Sequence, residues 1–256
     1  MLAGGAVAPF HAALEGSGVP GLADWIVIVA AALGGHAITL RWIDRRPWQY
    51  VWLDRTAAQP QRLIEGYLVG VLAIGLPAAA LIAGGWLSVE PHASGSWAGA
   101  AVRVSALLLV AALAEELLFR GYLFALLREK LGWTPALAAT SAAFGYAHVG
   151  NPGASLRALV LVMLAGLFLG AVVVMLRSLY AAWMAHFAWN WTMAVLLHIP
   201  VSGVGTETPD YRTIETGPDW VTGGAWGPEG GAGAAVGMIA GLGYLIARRQ
   251  RRAASQ

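Results

Sequence analysis

Seven apolar runs, most near the roughly 20 residues that a bilayer-spanning helix requires, follow one another along this chain. They occupy 23–40, 65–87, 101–127, 135–147, 156–176, 179–199 and 231–247. In lipid each backbone N–H and C=O must be satisfied within its own segment or by a closed barrel, so such runs are helices. The composition agrees. Of 256 residues, 58% are hydrophobic and 12% charged, with a mean hydropathy of +0.62. Soluble domains carry about twice that share of charge. A soluble globular enzyme, a disordered chain and a nucleic-acid-binding protein are thereby excluded. The expectation is an all-α, polytopic transmembrane helix bundle of about seven spans, a single integral-membrane domain over 1–256.

The run at 135–147 is too short to cross a bilayer comfortably and ends at the turn Asn151-Pro152-Gly153, so it is expected inside the bundle. The first 18 residues carry no Lys or Arg. They lack the charged start of a secretory signal and read as a short retained leader at the interface. With the N-terminus outside, only Arg103, Arg157 and Arg212 fall on the outer side and Arg120 within a span. Every other Lys and Arg then faces inward, the bias expected of cytoplasmic loops. The implied location is the plasma membrane, with a cytoplasmic C-terminus. Trp42, Trp48, Tyr50 and Trp52 read as interface anchors. Gly166 with Gly170, and Gly233, Gly237 and Gly241, read as close helix contacts. The acidic segment 200–230 reads as an ordinary connecting loop, and Arg248–Arg252 as a topology anchor. Zero cysteines exclude a disulfide framework, a thiolate nucleophile and a Cys-ligated metal.

Charge inside a span costs about 2.5–3.5 kcal/mol per ionised residue. Yet the third run contains Glu115, Glu116 and Arg120. Glu116 and Arg120 are four apart with the acid first, which lets them pair on one helix face. Glu115 points about 100° away and lacks that partner, so it suits a general base. Two further polar pairs stand at helical spacing: Phe144 with His148, and His186 with Asn190. Glu115 is thirteen residues from Arg128, and His148 thirteen from Pro135, each about 20 Å of helix rise. His186 and Asn190 lie nine and thirteen residues past Arg177, about 14 and 20 Å. Three non-adjacent helices thus bring polar groups to one layer. His36 and His198 read as satisfied core histidines.

Glu115-Glu116-x-x-x-Arg120, Phe144-x-x-x-His148 and His186-x-x-x-Asn190, in this order, resemble the CPBP intramembrane proteases. That family includes the type II CAAX prenyl endopeptidases and the bacterial Abi proteins. The resemblance covers about 101–197. It implies hydrolysis of peptide bonds in membrane-associated or prenylated protein or peptide substrates. By resemblance, Glu115 and His148 activate water, His186 and Asn190 bind a metal or stabilise the oxyanion, and Glu116, Arg120 and Phe144 support the site. The resemblance favours a metalloenzyme, with zinc on Glu115, His148 and His186; a metal-free mechanism with the same residues is the alternative. The sequence lacks His-Glu-x-x-His and Gly-x-Gly-Asp, the marks of two other intramembrane protease classes. Two competing readings are a non-catalytic scaffold or chaperone of the same fold, and a proton-coupled transporter using Glu115 and the histidines. A transporter predicts an inverted repeat, and the two halves show none.

Overall fold

A computed structural model describes residues 21–92, 95–206 and 209–254. The leader reading for the first 18 residues lies outside them. The elements are α1 (Leu22–Ile38), α2 (Pro60–Ala83), β1 (Leu87–Pro91), α3 (Trp97–Arg120), α4 (Tyr122–Leu131), α5 (Trp133–Ala147), α6 (Leu156–Leu176), α7 (Leu179–Trp191), β2 (Tyr211–Glu215) and α8 (Ala232–Ala254). One-turn π segments extend α1 (Thr39–Ile43) and α7 (Thr192–Leu196).

Local chemistry sets the helix starts. Pro60 opens α2, where its missing N–H leaves no donor orphaned. The hydroxyls of Ser96, Ser155 and Ser178 accept from the N–H groups of Gly99, Ala158 and Ala181, capping α3, α6 and α7.

The all-α bundle is as expected; the count of about seven spans is not confirmed. Among the described residues four helices are long and apolar enough to cross a membrane: Leu22–Ile43, Pro60–Ala83, Trp97–Leu131 and Leu156–Leu176. The expected fourth and sixth spans are α5, of 15 residues, and α7, of 13. α7 is largely buried by neighbouring helices, whereas α5 buries one face, Ala136, Thr140, Ser141, Phe144 and Gly145, and leaves the other exposed. α7 is the axis of the fold, packed against α2, α3 and α6. Gly66 and Gly70 of α2 lie directly on the backbone of Ala181 and Ala185, leaving no room for a Cβ. Gly166 meets Ser141, Gly170 meets Leu137, and Gly237 meets the backbone of Ala73. The small residues do serve close approach. Around them Ile74, Phe168, Val172, Met193 and Met238 form the main core.

The third run is broken at Gly121, where α3 ends and α4 begins. His36 of α1 caps the break. Its Nδ1 donates to the Ala32 carbonyl at 2.6 Å, and its Nε2 accepts from the Tyr122 N–H at 2.9 Å. A Cβ at Gly121 would collide with the His36 ring and the Leu117 carbonyl. His36 is a satisfied histidine, as expected, with the added task of holding this kink.

Two expectations are corrected. The segment read as a bare loop contains β2, which pairs antiparallel with β1 (Leu87 opposite Glu215, Val89 opposite Thr213) and builds a cap over one end of the bundle. Trp42 is 67% exposed, as an anchor should be. Tyr50 and Trp52 instead pack inward. Tyr50 donates to Glu129 at 2.7 Å, and Trp52 stacks on Trp133 with Arg128 4.6 Å from its ring. Arg248 of the basic tail pairs with Glu65 and ties α8 to α2.

Candidate active site

Where α1, α3, α5, α6, α7 and the cap meet, the bundle forms a partly open cavity of about 470 Å³. Its walls include Glu115 of α3, Phe144 and His148 at the end of α5, and His186 and Asn190 of α7. The four residues expected to do chemistry therefore share one cavity. His36 and His198 do not line it. His198 instead donates from Nδ1 to the Tyr211 carbonyl at 2.6 Å and stacks on that ring within the cap.

The adjacent carboxylates diverge because successive helical residues turn by about 100°. Glu115 faces the cavity with 20% of its side chain exposed. Glu116 is fully buried on the protein side. There Arg120 Nη1 donates to Glu116 Oε1 at 3.0 Å, and Nη2 to the Gly166 carbonyl at 3.2 Å. The spacing argument anticipated this pair. It did not anticipate the third member: His186 Nδ1 lies 2.9 Å from Glu116 Oε1. An ionised carboxylate only accepts, so Nδ1 carries the proton and Nε2 is turned outward. That Nε2 lies 3.8 Å from Glu115 Oε2.

His148 is fixed in the same manner. Its Nδ1 donates to the Phe144 carbonyl at 2.7 Å, one turn back, which leaves Nε2 free. Phe144 is the apolar floor between the charged groups. Its ring lies 4.3 Å from the Arg120 guanidinium carbon, 4.8 Å from the His148 ring and 5.9 Å from the His186 ring. A guanidinium over an aromatic face is stabilised by the ring quadrupole.

The residues do not gather as a zinc site. Among the described residues no three His, Asp or Glu side chains come close enough to hold one metal ion. Both imidazoles have Nδ1 committed elsewhere, which leaves Nε2 as the nitrogen available to the cavity, and His186 Nε2 lies 3.8 Å from Glu115 Oε2.

The cap adds residues that sequence reasoning missed. Glu229 lines the cavity although it is 7% exposed. It accepts from Trp189 Nε1 at 3.0 Å and from the Ser202 hydroxyl at 2.6 Å. Asn151 Nδ2 donates to the Ser202 carbonyl at 2.9 Å. In sequence Glu229 is one of several acids between Gly and Pro residues, and nothing local separates it from them.

Residues 97–192 match a family model described as Type II CAAX prenyl endopeptidase Rce1-like. This bears out the resemblance to the CPBP proteases and, at family level, supports a CAAX-type intramembrane protease. The match spans α3 to the start of the π turn after α7, the segment that carries all four cavity residues. No curated protein and no solved structure matches the chain.

Proposed function

We propose that this protein is an intramembrane endopeptidase that hydrolyses peptide bonds of membrane-associated substrates in the cavity. The reading is carried by one observation: Glu115, His148, His186 and Asn190, from three helices, line one cavity. Glu115 takes a proton from water, whose oxygen attacks the scissile carbonyl carbon. His148 Nε2 helps to orient that water. The oxyanion receives hydrogen bonds from Asn190 Nδ2 and from His186 once Nε2 is protonated. Glu115 then passes its proton to the leaving nitrogen. The C–N bond breaks, and the products are a carboxylate and an amine. Glu116, held by Arg120, keeps the His186 ring in its tautomer and orientation. Side chains carry each of these steps.

The protein would sit in the plasma membrane, N-terminus outside and C-terminus cytoplasmic, because that arrangement puts most Lys and Arg inside. The test is cleavage of a pool of membrane peptides by the reconstituted protein. Glu115→Ala and His186→Ala should each abolish cleavage at unchanged expression. Cleavage persisting in either variant refutes the roles given. Activity lost to a chelator and restored by zinc would replace this mechanism with a metal-assisted one.

A further inference from the structure

We infer that the cap end of the cavity is a subsite for a cationic side chain, Lys or Arg, of the peptide substrate, with Glu229 as the recognising group. This rests on the endopeptidase reading. Glu229 is buried, and its three donors, the Ser202 N–H, the Ser202 hydroxyl and Trp189 Nε1, are all neutral. Among the described residues no Lys, Arg or His forms an ion pair with it. The other buried acid near the cavity, Glu116, has Arg120 at 3.0 Å. A buried carboxylate favours a positive partner strongly, because little water screens it. Neutral donors hold its position but leave each oxygen further lone pairs. Those lone pairs lie on the wall of a cavity otherwise lined largely by Leu, Val, Ala and Phe.

Two further features suit a cation. Thr206 Oγ1 also belongs to the cavity lining and is buried with no described hydrogen-bond partner, so it offers a second oxygen acceptor. Ser202 holds a left-handed backbone conformation (φ 49°), and Glu229 and Asn151 pin it from both sides. The wall is therefore rigid, as a selective subsite requires. Trp189 stands three residues beyond His186 on α7, about 4.5 Å of helix rise.

The test uses the full chain in lipid nanodiscs and fluorescent Leu/Ala peptides of about 24 residues, enough to span the bilayer. One Lys, or an uncharged norleucine, is placed at successive positions. Binding is read in the Glu115→Gln variant and cleavage in the unsubstituted protein. At one position Lys should bind about tenfold tighter than norleucine, the scale of one charge-assisted hydrogen bond. Glu229→Gln, which keeps the shape, should bring that ratio close to one, and Glu229→Asp should retain part of it. No Lys preference at any position, or a preference unchanged in Glu229→Gln, overturns the subsite. Should Glu229→Gln fail to fold, the scan on unsubstituted Glu229 still decides. Lys-selective binding without cleavage of any peptide would sink the endopeptidase reading and leave the subsite standing. Cleavage without charge preference does the reverse.

Discussion

Glu116 has two tasks that substitutions can separate. It neutralises Arg120, and it orients His186. The side chains of Glu116 and Arg120 are 0% and 1% exposed and 3.0 Å apart. Glu116→Ala strands a buried guanidinium without the carboxylate to which it is hydrogen-bonded, a loss of about 3–5 kcal/mol for a broken buried pair. The same change frees His186 Nδ1, so cleavage should fall with stability. The double variant Glu116→Leu with Arg120→Met removes both charges together. Replacing a buried pair with apolar groups of similar volume is often neutral or stabilising, so most of the lost stability should return. Activity should not return. The imidazole has lost the carboxylate that fixed its tautomer, and lost orienting partners commonly cost about 10–100-fold. Tryptophan fluorescence during thermal unfolding in detergent reads the first quantity, and single-turnover cleavage of a membrane peptide reads the second. Recovery of activity with stability would show that Glu116 is a structural staple and nothing more. Unchanged stability in Glu116→Ala would refute the ion-pair argument itself.

The remaining predictions concern the kink and the cap. Gly121→Ala forces a methyl group against the His36 ring and the Leu117 carbonyl. It should cost about 1–3 kcal/mol, measured as a lower unfolding temperature; an unchanged temperature would mean that the break between α3 and α4 is not held by this contact. Burial pushes the Glu215 carboxyl above its usual value of 4.5, against the opposing hydrogen bond from the Thr222 hydroxyl. A raised folded-state value penalises the charged form. Glu215→Gln should therefore stabilise the cap increasingly as pH rises past 4.5, reach its full effect above the folded value, and have no effect below 4.5. Protease protection of the cap across that range checks it, and a gain largest at low pH would reverse the assignment.

The candidate site was legible because charge is conspicuous in an apolar run. Glu115, Glu116 and Arg120 stand out against Leu and Ala, and the four-residue spacing gave the Glu116–Arg120 pair before any coordinates. What spacing cannot give is contact between helices far apart in sequence. The His186–Glu116 bond joins residues 70 apart, and Trp189–Glu229 joins residues 40 apart. The kink at Gly121 was invisible for a different reason. Apolar character continues across it, and the His36 that stabilises it belongs to α1. The β1–β2 ribbon escaped because each strand is five residues long and its partner lies in a distant loop, so there is no local turn signal to read. The span count rests on length and apolar character, and among the described residues four helices meet both measures; α5, at 15 residues, and α7, at 13, are too short on their own.

The order of the motif follows from these contacts. Two adjacent carboxylates on one helix leave its axis about 100° apart, so one can enter a cavity while the other enters the protein. The buried one is affordable in lipid only with Arg120, whose second nitrogen reaches the Gly166 carbonyl of α6. The same carboxylate holds His186 of α7. One oxygen of Glu116 thus ties α3 to α7, and through Arg120 the tie extends to α6. With helix surfaces no more apolar than lipid tails, polar contacts of this kind contribute to association that hydrophobic burial cannot supply. His186 meets Glu116 on Nδ1 and turns Nε2 toward Glu115, so the ring stands between the carboxylate that holds the bundle and the one that faces the cavity. A change at Glu116 must therefore be felt by both the fold and the site, which is why the paired substitution of Glu116 and Arg120 is needed to tell them apart.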